Sequence, residues 1–351
     1  MEISDYSILP SVTVREAIEA IESIGKKAVL IVDRNNTLKG LFTDGDMRRF
    51  VLAGGNLSAS VSKAMNQNPK VFPSLDEAIK FSKTNKLLIY PIVNNDGKLI
   101  DAIFWNEDTI EHSINQYLAD VPVVIMAGGK GTRLHPYTNV LPKPLIPIGD
   151  QTICERIISS FKTYGANEFY IILNHMSNMI KAYFNEVEKD YVLNYVDEDE
   201  FLGSAGGLSL LKGKISSTFI LSNCDVLIDT DYSDFYQFHK NDNNIITFAG
   251  ALMNTRIPYG VLDMTSEGTV SGITEKPSYS YMTNAGVYIM EPQVIEDLQP
   301  GVYADLPNIA QKYIDTNERV GVYPVSEKSW TDMGQLKELG EMISAFTSQK
   351  G

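Results

Sequence analysis

The stretch IMAGGKGTRLHPYTNVLPKPL, residues 125–145, gathers Lys130, Arg133 and Lys143 around Gly128, Gly129 and Gly131 directly after an apolar run. The whole chain carries a formal net charge of −14, so a local concentration of cations needs a reason. Glycines accept positive φ and allow close approach, so a glycine-rich turn after a buried strand lets backbone N–H groups converge into an anion nest. Cations added to such a nest point to phosphate chemistry. The run is neither G-x-G-x-x-G nor a phosphate-binding loop ending in G-K-[ST]. Its distinctive feature is the compound pattern A-G-G-x-G-T-R-L followed by P-K-P. Arg133 and Lys143 would add positive charge to such an anion site, and the amides around the three glycines would donate to the anion's oxygens.

Elements able to position that loop follow along the chain. VPVVIMA (121–127) reads as a continuous apolar strand, TICERIISSFKTYG (152–165) as a capped helix, FYIILN as a strand and SNMIKAYFNE as a helix. YVLNYV, GSAGGLSLLKG, TFILSNCDVLI, YSDFYQFHKN and NIITFAGAL continue the alternation. Short apolar runs separated by amphipathic helices predict an α/β fold with a mostly parallel sheet buried on both faces, and in open α/β sheets ligands bind at the carboxyl edge of the strands. Between Tyr259 and Met290 the pattern changes to two-residue alternation around Ser266-Glu267-Gly268, which predicts antiparallel strands beside the main sheet, forming the far wall of a pocket.

The N-terminal third is organised differently. TVRE (13–16) and SLDE (74–77) each fit a capping box and lie 61 positions apart. The same offset, without a gap, lays Glu16–Asp46 over Glu77–Glu107, and each copy reads as helix, strand, turn, strand. The turns carry Asn35-Asn36 and Asp96-Gly97, residues that tolerate positive φ. A duplication of this size predicts two small units packed face to face. The expected domains are therefore 1–118, with repeats at 1–60 and 61–118, and 119–351.

Composition narrows the partners. At 351 residues and 44% hydrophobic, the chain can bury two cores. Neither a leader-like N-terminus nor an apolar run near the ~20 residues of a membrane span appears, so a cytoplasmic protein with no membrane contact is expected. The acidic balance argues against nucleic acid. Cys154 and Cys224 cannot build a disulfide framework and read as small buried hydrophobes. Asp197, Glu198, Asp199 and Glu200 read as a solvated charge run, and the aromatic helix YSDFYQFHK as core packing.

The first 115 residues resemble a tandem CBS pair. That family carries G-x-x-T-x-x-D at the end of a strand, and Gly40, Thr43 and Asp46 match it. The resemblance implies that Thr43 and Asp46 hold the ribose of a regulatory adenine nucleotide, against the plainer reading that they cap the helix beginning MRRF. The second copy departs, with Asp101, Phe104 and Glu107 at the equivalent positions, so one nucleotide site is expected. CBS pairs also imply a dimer or higher homo-oligomer.

Residues 121–351 resemble the sugar-1-phosphate nucleotidyltransferases. After the AGGKGTRL and PKP motifs come LGSAGGL (202–208), SNCD (222–225), YGV (259–261), EKP (275–277), NAGVY (284–288) and WTDMG (330–334), in the family's order. The resemblance implies a Rossmann-like fold and a reaction in which a sugar 1-phosphate attacks the α-phosphorus of an NTP and releases pyrophosphate. It implies that Ala127, Gly128, Gly129, Gly131, Thr132, Arg133, Lys143, Gly206, Gly207 and Asp225 bind the nucleotide. Asp225 and Asp332 would hold Mg²⁺. Gly260, Glu275, Lys276, Asn284 and Gly286 would form the sugar pocket, with Lys276 neutralising the sugar phosphate. The family alternatives are a catalytically silent regulatory subunit and a nucleotide sensor; Arg133, Lys143, Asp225, Lys276 and Asp332 together speak for an enzyme. LPKPLIPIG resembles guanylyltransferases more than thymidylyltransferases, which implies GTP ahead of UTP, CTP or dTTP. CBS-fused members look like enzymes that activate amino sugars, which makes glucosamine 1-phosphate, in legionaminic-acid-type pathways, the first expectation.

Overall fold

The 61-residue offset is the offset of the strands. Ala28–Val32 and Leu38–Thr43 form a hairpin, and the same shift lands on the hairpin of Ile89–Val93 and Leu99–Phe104. Even the irregularity repeats, between Ile31 and Val32 in one copy and between Ile92 and Val93 in the other. Asn36 and Gly97 take left-handed backbone at φ 62° and 74°, which closes the two turns. The Asp33 carboxylate accepts from the N–H groups of Asn35 and Thr37, and the Asn94 side chain does so from those of Asp96 and Lys98. Thr37 bridges to Lys98, so the two turns meet at equivalent positions, and Leu30, Val32, Ile89 and Leu99 share one core. The Thr13–Glu16 capping box is complete, and Ser74 caps its helix through Glu77 N–H. Glu107 lies outside the described residues.

The protein is described here from a computed structural model, which covers residues 3–24, 26–82, 85, 87–104, 116–334, 339–340 and 342. It divides into two compact units, 1–111 and 112–351. The sequence places this boundary after residue 118, whereas Leu118 is buried in the core of the second unit and its N–H bonds to the Tyr164 carbonyl.

In the second unit a seven-stranded sheet runs in the order Val192–Asp197, Glu168–Leu173, Val123–Met126, Phe219–Asn223, Ser278–Met290, Ile246–Arg256, Val320–Ser326. All neighbours are parallel except those of Ser278–Met290, which is antiparallel to both flanking strands. From Val123–Met126 the chain builds outward on one side through Glu168–Leu173 and Val192–Asp197, then crosses to the other side with Phe219–Asn223. That reversal leaves a crevice between the loops after Met126 and Asn223, the place where open α/β sheets bind ligands. The helix Ile153–Lys162 covers one face, started by a full capping box of Thr152 and Glu155. The helix Tyr232–Asn241 buries Tyr232 and Phe235, with Phe235 stacked on Tyr323, as core packing requires.

The alternation after Tyr259 resolves in two ways. Val261–Met264 and Val270–Thr274 form a separate hairpin turned by Gly268 at φ 82°. Ser278–Met290 instead enters the middle of the main sheet, where its apolar C-terminal half is buried. Among the described residues no helix is long and apolar enough to cross a membrane.

Candidate active site

A cavity of about 330 Å³ opens at the sheet's crevice. Gly128, Gly129, Gly131, Thr132, Arg133, Lys143 and Asp225 line it, as does Gly334 of the WTDMG motif. The loop's glycines have separate reasons. Gly131 sits at φ 64° with its carbonyl accepting from the Thr138 hydroxyl at 2.8 Å, and a Cβ there would lie 2.9 Å from Thr138 and 3.3 Å from Lys143 Cβ. Gly129 faces open space and is exposed. Ala127 extends the strand by donating to the Ile172 carbonyl, and its side chain is buried in the core rather than in the cavity. Of the three cations in the loop, Lys130 is exposed and does not line the cavity.

Lys143 Nζ and the Asp225 carboxylate form an ion pair, with side-chain exposures of 10% and 13%. Asp332 is brought next to Asp225 by the antiparallel pairing of Val226–Ile228 with Trp330–Asp332, and the Met333 N–H donates to the Asp225 carbonyl at 2.8 Å. Burial raises the pKa of Asp332, and the charge of Asp225 adds to the rise; Lys143 and Arg133 oppose it. Its Oδ1 is buried without a hydrogen-bond partner. A buried, unpaired carboxylate oxygen beside a second carboxylate suits a cation. Among the described residues no three potential metal-binding side chains cluster, so Mg²⁺ here would take these two carboxylates and complete its shell with water and phosphate oxygens, its usual habit.

The residues expected at the sugar form a second, more open group. A Cβ on Gly260 would lie 3.0 Å from Glu275 Oε2, and the Lys276 N–H donates to the Tyr259 carbonyl. Lys276 has φ 46°, and its exposed ammonium is 3.8 Å from Glu275 Oε1. Asn284 accepts from the Gly286 N–H, and Gly286, at φ 80°, backs onto Asn223, which lines the cavity. Gly260, Glu275, Lys276, Asn284 and Gly286 do not themselves line it. Gly206 and Gly207 are also off the wall; a Cβ on Gly206 would strike the Val302 carbonyl at 2.6 Å, so its role is close backbone packing.

One expectation is overturned. Glu198 is not part of a solvated charge run: it is 5% exposed, while Asp197, Asp199 and Glu200 are exposed. Burial pushes its pKa up to about 7, against a smaller lowering by the Leu202 backbone N–H. A Cβ on Gly128 would lie 2.7 Å from Glu198 Oε2, and one on Gly207 would collide with Oε1, so the two glycines make room for this carboxylate. The signal lay in period two: Val196 is buried at the end of its strand, Asp197 points out to Lys181, and Glu198 turns back in. Phe201, half exposed on the cavity wall and edge-to-face with Tyr303, was also unforeseen.

A family model described as nucleotidyl transferase matches residues 122–349, the span that carries this cavity. The chain belongs to the nucleotidyl transferase family. A CBS-domain model matches residues 3–53 of this chain. A UTP–glucose-1-phosphate uridylyltransferase of Synechocystis sp. is 28% identical over 248 residues, covering 65% of this chain and 63% of that protein. A mannose-1-phosphate guanyltransferase of Yarrowia lipolytica is 30% identical over 229 residues, covering 61% of each. The chain thus spans 61–63% of the length of these relatives. A structure titled as a putative glucose-1-phosphate thymidylyltransferase from Bacillus anthracis, in complex with a sucrose, superposes with a TM-score of 0.50 at 22% identity, over 64% of this chain and 95% of that one, and shares the fold.

In the CBS unit, Thr43 and Asp46 form a reciprocal cap. Thr43 Oγ1 donates to Asp46 Oδ2 at 2.7 Å, Asp46 N–H donates back to Thr43 Oγ1, and Arg49 donates to Asp46 Oδ1 at 2.5 Å. Gly40 is required by close approach, since a Cβ would lie 2.7 Å from the Asn66 carbonyl. All three motif residues therefore have structural work in the absence of any nucleotide.

Proposed function

We propose that this chain catalyses the Mg²⁺-dependent transfer of a nucleoside monophosphate from an NTP to a sugar 1-phosphate, releasing pyrophosphate. What carries the reading is one cavity at the strand crossover that combines the Gly128–Gly131 loop, Arg133, Lys143 and Asp225, with Asp332 beside it. The obstacle to this reaction is repulsion between two polyanions, and the protein's contribution is positioning and electrostatic stabilisation. The loop amides and Arg133 take the triphosphate oxygens, and Lys143 takes the charge that builds on the α-phosphate. A phosphate oxygen of the sugar then forms its bond to the α-phosphorus in line as the bond to the β-phosphate oxygen breaks. Asp225 and Asp332 would hold Mg²⁺, which would supply neutralising charge where the two phosphates meet. Lys276, free to move on an exposed turn, meets the sugar phosphate, and Glu275 the sugar hydroxyls.

GTP is the proposed donor. Relatives named as mannose-1-phosphate guanyltransferases support it. Glucosamine 1-phosphate is the proposed acceptor, with mannose and glucose 1-phosphates next because the relatives are named for them. The deciding assay measures pyrophosphate release from each of the four NTPs with these three sugar phosphates. Release with GTP supports the reading; release with UTP alone reassigns the base; no release in any combination leaves a non-catalytic subunit. An adenine nucleotide at Thr43 and Asp46 is proposed as the regulator, displacing Arg49 from Asp46. Calorimetric titration of the full chain with AMP, ADP and ATP tests it, and no heat with any of them removes it.

A further inference from the structure

We propose that Lys143 is a mobile counter-ion that sits on Asp225 in the free protein and must leave it for a metal to bind, so that the same lysine couples metal binding to phosphate binding. The inference rests on the assignment of Asp225 to a metal site and goes beyond it to what the lysine does there.

Three observations carry it. The Lys143 ammonium already pairs with Asp225 Oδ2, in a spot where both side chains are about nine-tenths covered. The neighbouring Asp332 Oδ1 is buried and unpaired, so the pocket holds carboxylate oxygens enough for a dication but presents one of them to a lysine. The lysine stem also springs from beside the phosphate loop, because a Cβ on Gly131 would lie 3.3 Å from Lys143 Cβ.

A Mg²⁺ ion on the Asp225 carboxylate would bring a second positive charge within a few ångströms of the ammonium on Oδ2, in a site too covered for water to screen the two, so lysine and metal compete for this aspartate. The dication, with the greater charge, displaces the ammonium. Lys143 has a four-carbon stem with rotatable bonds, and a phosphate seated on the Gly128–Gly131 loop gives its ammonium an anion of equal use within the same cavity. Without phosphate, expelling the lysine strands its charge in a largely covered site, which opposes the metal. With phosphate, the expulsion is compensated. Metal and nucleotide therefore assist each other through a side chain as well as through direct coordination, and such couplings are reciprocal and typically ~5–150-fold.

The test is direct binding of Mn²⁺, as a paramagnetic probe, to the full-length protein without nucleotide, read by electron paramagnetic resonance. Lys143→Met keeps the stem and removes the competing charge, so it should bind Mn²⁺ at least about tenfold more tightly than the wild type. The double variant with Asp225→Asn should lose that gain. Equal or weaker Mn²⁺ binding by Lys143→Met overturns the proposal. Should that variant fail to fold, acetylation footprinting of the wild type gives the second measurement: Mg²⁺ alone should raise labelling of Lys143, and unchanged labelling at saturating Mg²⁺ overturns the proposal equally. A gain in Mn²⁺ affinity for Lys143→Met together with no pyrophosphate release by the wild type would keep the exchange and remove the transferase reading, so the two fail separately.

Discussion

The nucleotide end of the site and the sugar end are built on different physical terms. Around the crossover, Lys143, Asp225, Asp332 and Glu198 are wholly or largely covered, and each charge is paired, perturbed or waiting for a partner. At the base of the hairpin, Glu275 and Lys276 are exposed and 3.8 Å apart, in reach of water on all sides. Buried charges are costly unless satisfied, so their positions are set by the fold; exposed charges cost little and acquire position only when a substrate supplies the partner. Substitutions at the first end should therefore touch stability and turnover together, whereas those at the second should touch substrate affinity alone.

The largest expected effect tests the first half of that contrast. Asp225→Asn should lower kcat by about a thousandfold, the upper range for removing one preorganised electrostatic group, and should also lower the thermal midpoint because Lys143 keeps its charge and loses its partner. Turnover near wild type would end the metal assignment. Lys143→Ala should follow closely, at ~3–4 kcal/mol of transition-state stabilisation, read from kcat/KM; a loss under tenfold, ~1.4 kcal/mol, makes it a bystander.

Glu198 offers a pH measurement. Its folded-state pKa, about 7, lies above the ordinary 4.5, so the folded form retains a proton that the unfolded chain has released. Its contribution to stability is thus present below about pH 4.5 and is lost as the pH rises to about 7. Buried His239, whose pKa is lowered, gives a slope of opposite sign in part of that window, so the quantity to measure is the difference between wild type and Glu198→Gln in chemical denaturation. The wild type should lose up to ~2 kcal/mol relative to the variant between those limits, allowing for solvent screening near the loop. Parallel stability curves would show that Glu198 is ionised throughout.

Lys276→Ala sharpens the other half. It should raise KM for the sugar 1-phosphate about tenfold, ~1.4 kcal/mol, while the unfolding free energy stays within ~0.5 kcal/mol of wild type. A drop in stability comparable to that of Asp225→Asn would erase the distinction between the two ends. The smallest effect belongs to the CBS unit, where Thr43→Ala should cost ~1 kcal/mol by removing the helix cap, seen as a lower urea midpoint for the first unit whether or not any nucleotide is present.

Much of this was legible because local rules operate locally. The duplicated hairpins, their turns at Asn36 and Gly97 and the capping boxes at Thr13 and Thr152 depend on neighbours within a few residues, and they occur where the pattern places them. The order of motifs from AGGKGTRL to WTDMG also led to the family that the whole-span match establishes. The strand Ser278–Met290 was legible as a strand but not as a central one, since alternation over its exposed first half resembles that of any edge ribbon. Glu198 was misread for a related reason: four acidic residues in a row look solvated, and only the pleat of the preceding strand turns one of them inward.

Taken alone, the residues from Met1 to Gly351 determined which chemistry was available: a glycine nest, two cations beside it and two carboxylates far down the chain, each recognisable because local backbone freedom and charge are properties of residue types. Which of those groups meet was decided by the tertiary structure. The crossover of Val123–Met126 with Phe219–Asn223 sets Lys143 against Asp225, and the pairing of Val226–Ile228 with Trp330–Asp332 sets Asp332 against both. The reason is that a charge's partner, burial and pKa depend on distance through space in a low-dielectric interior, and that distance is established by long-range strand register, which no short window of sequence contains.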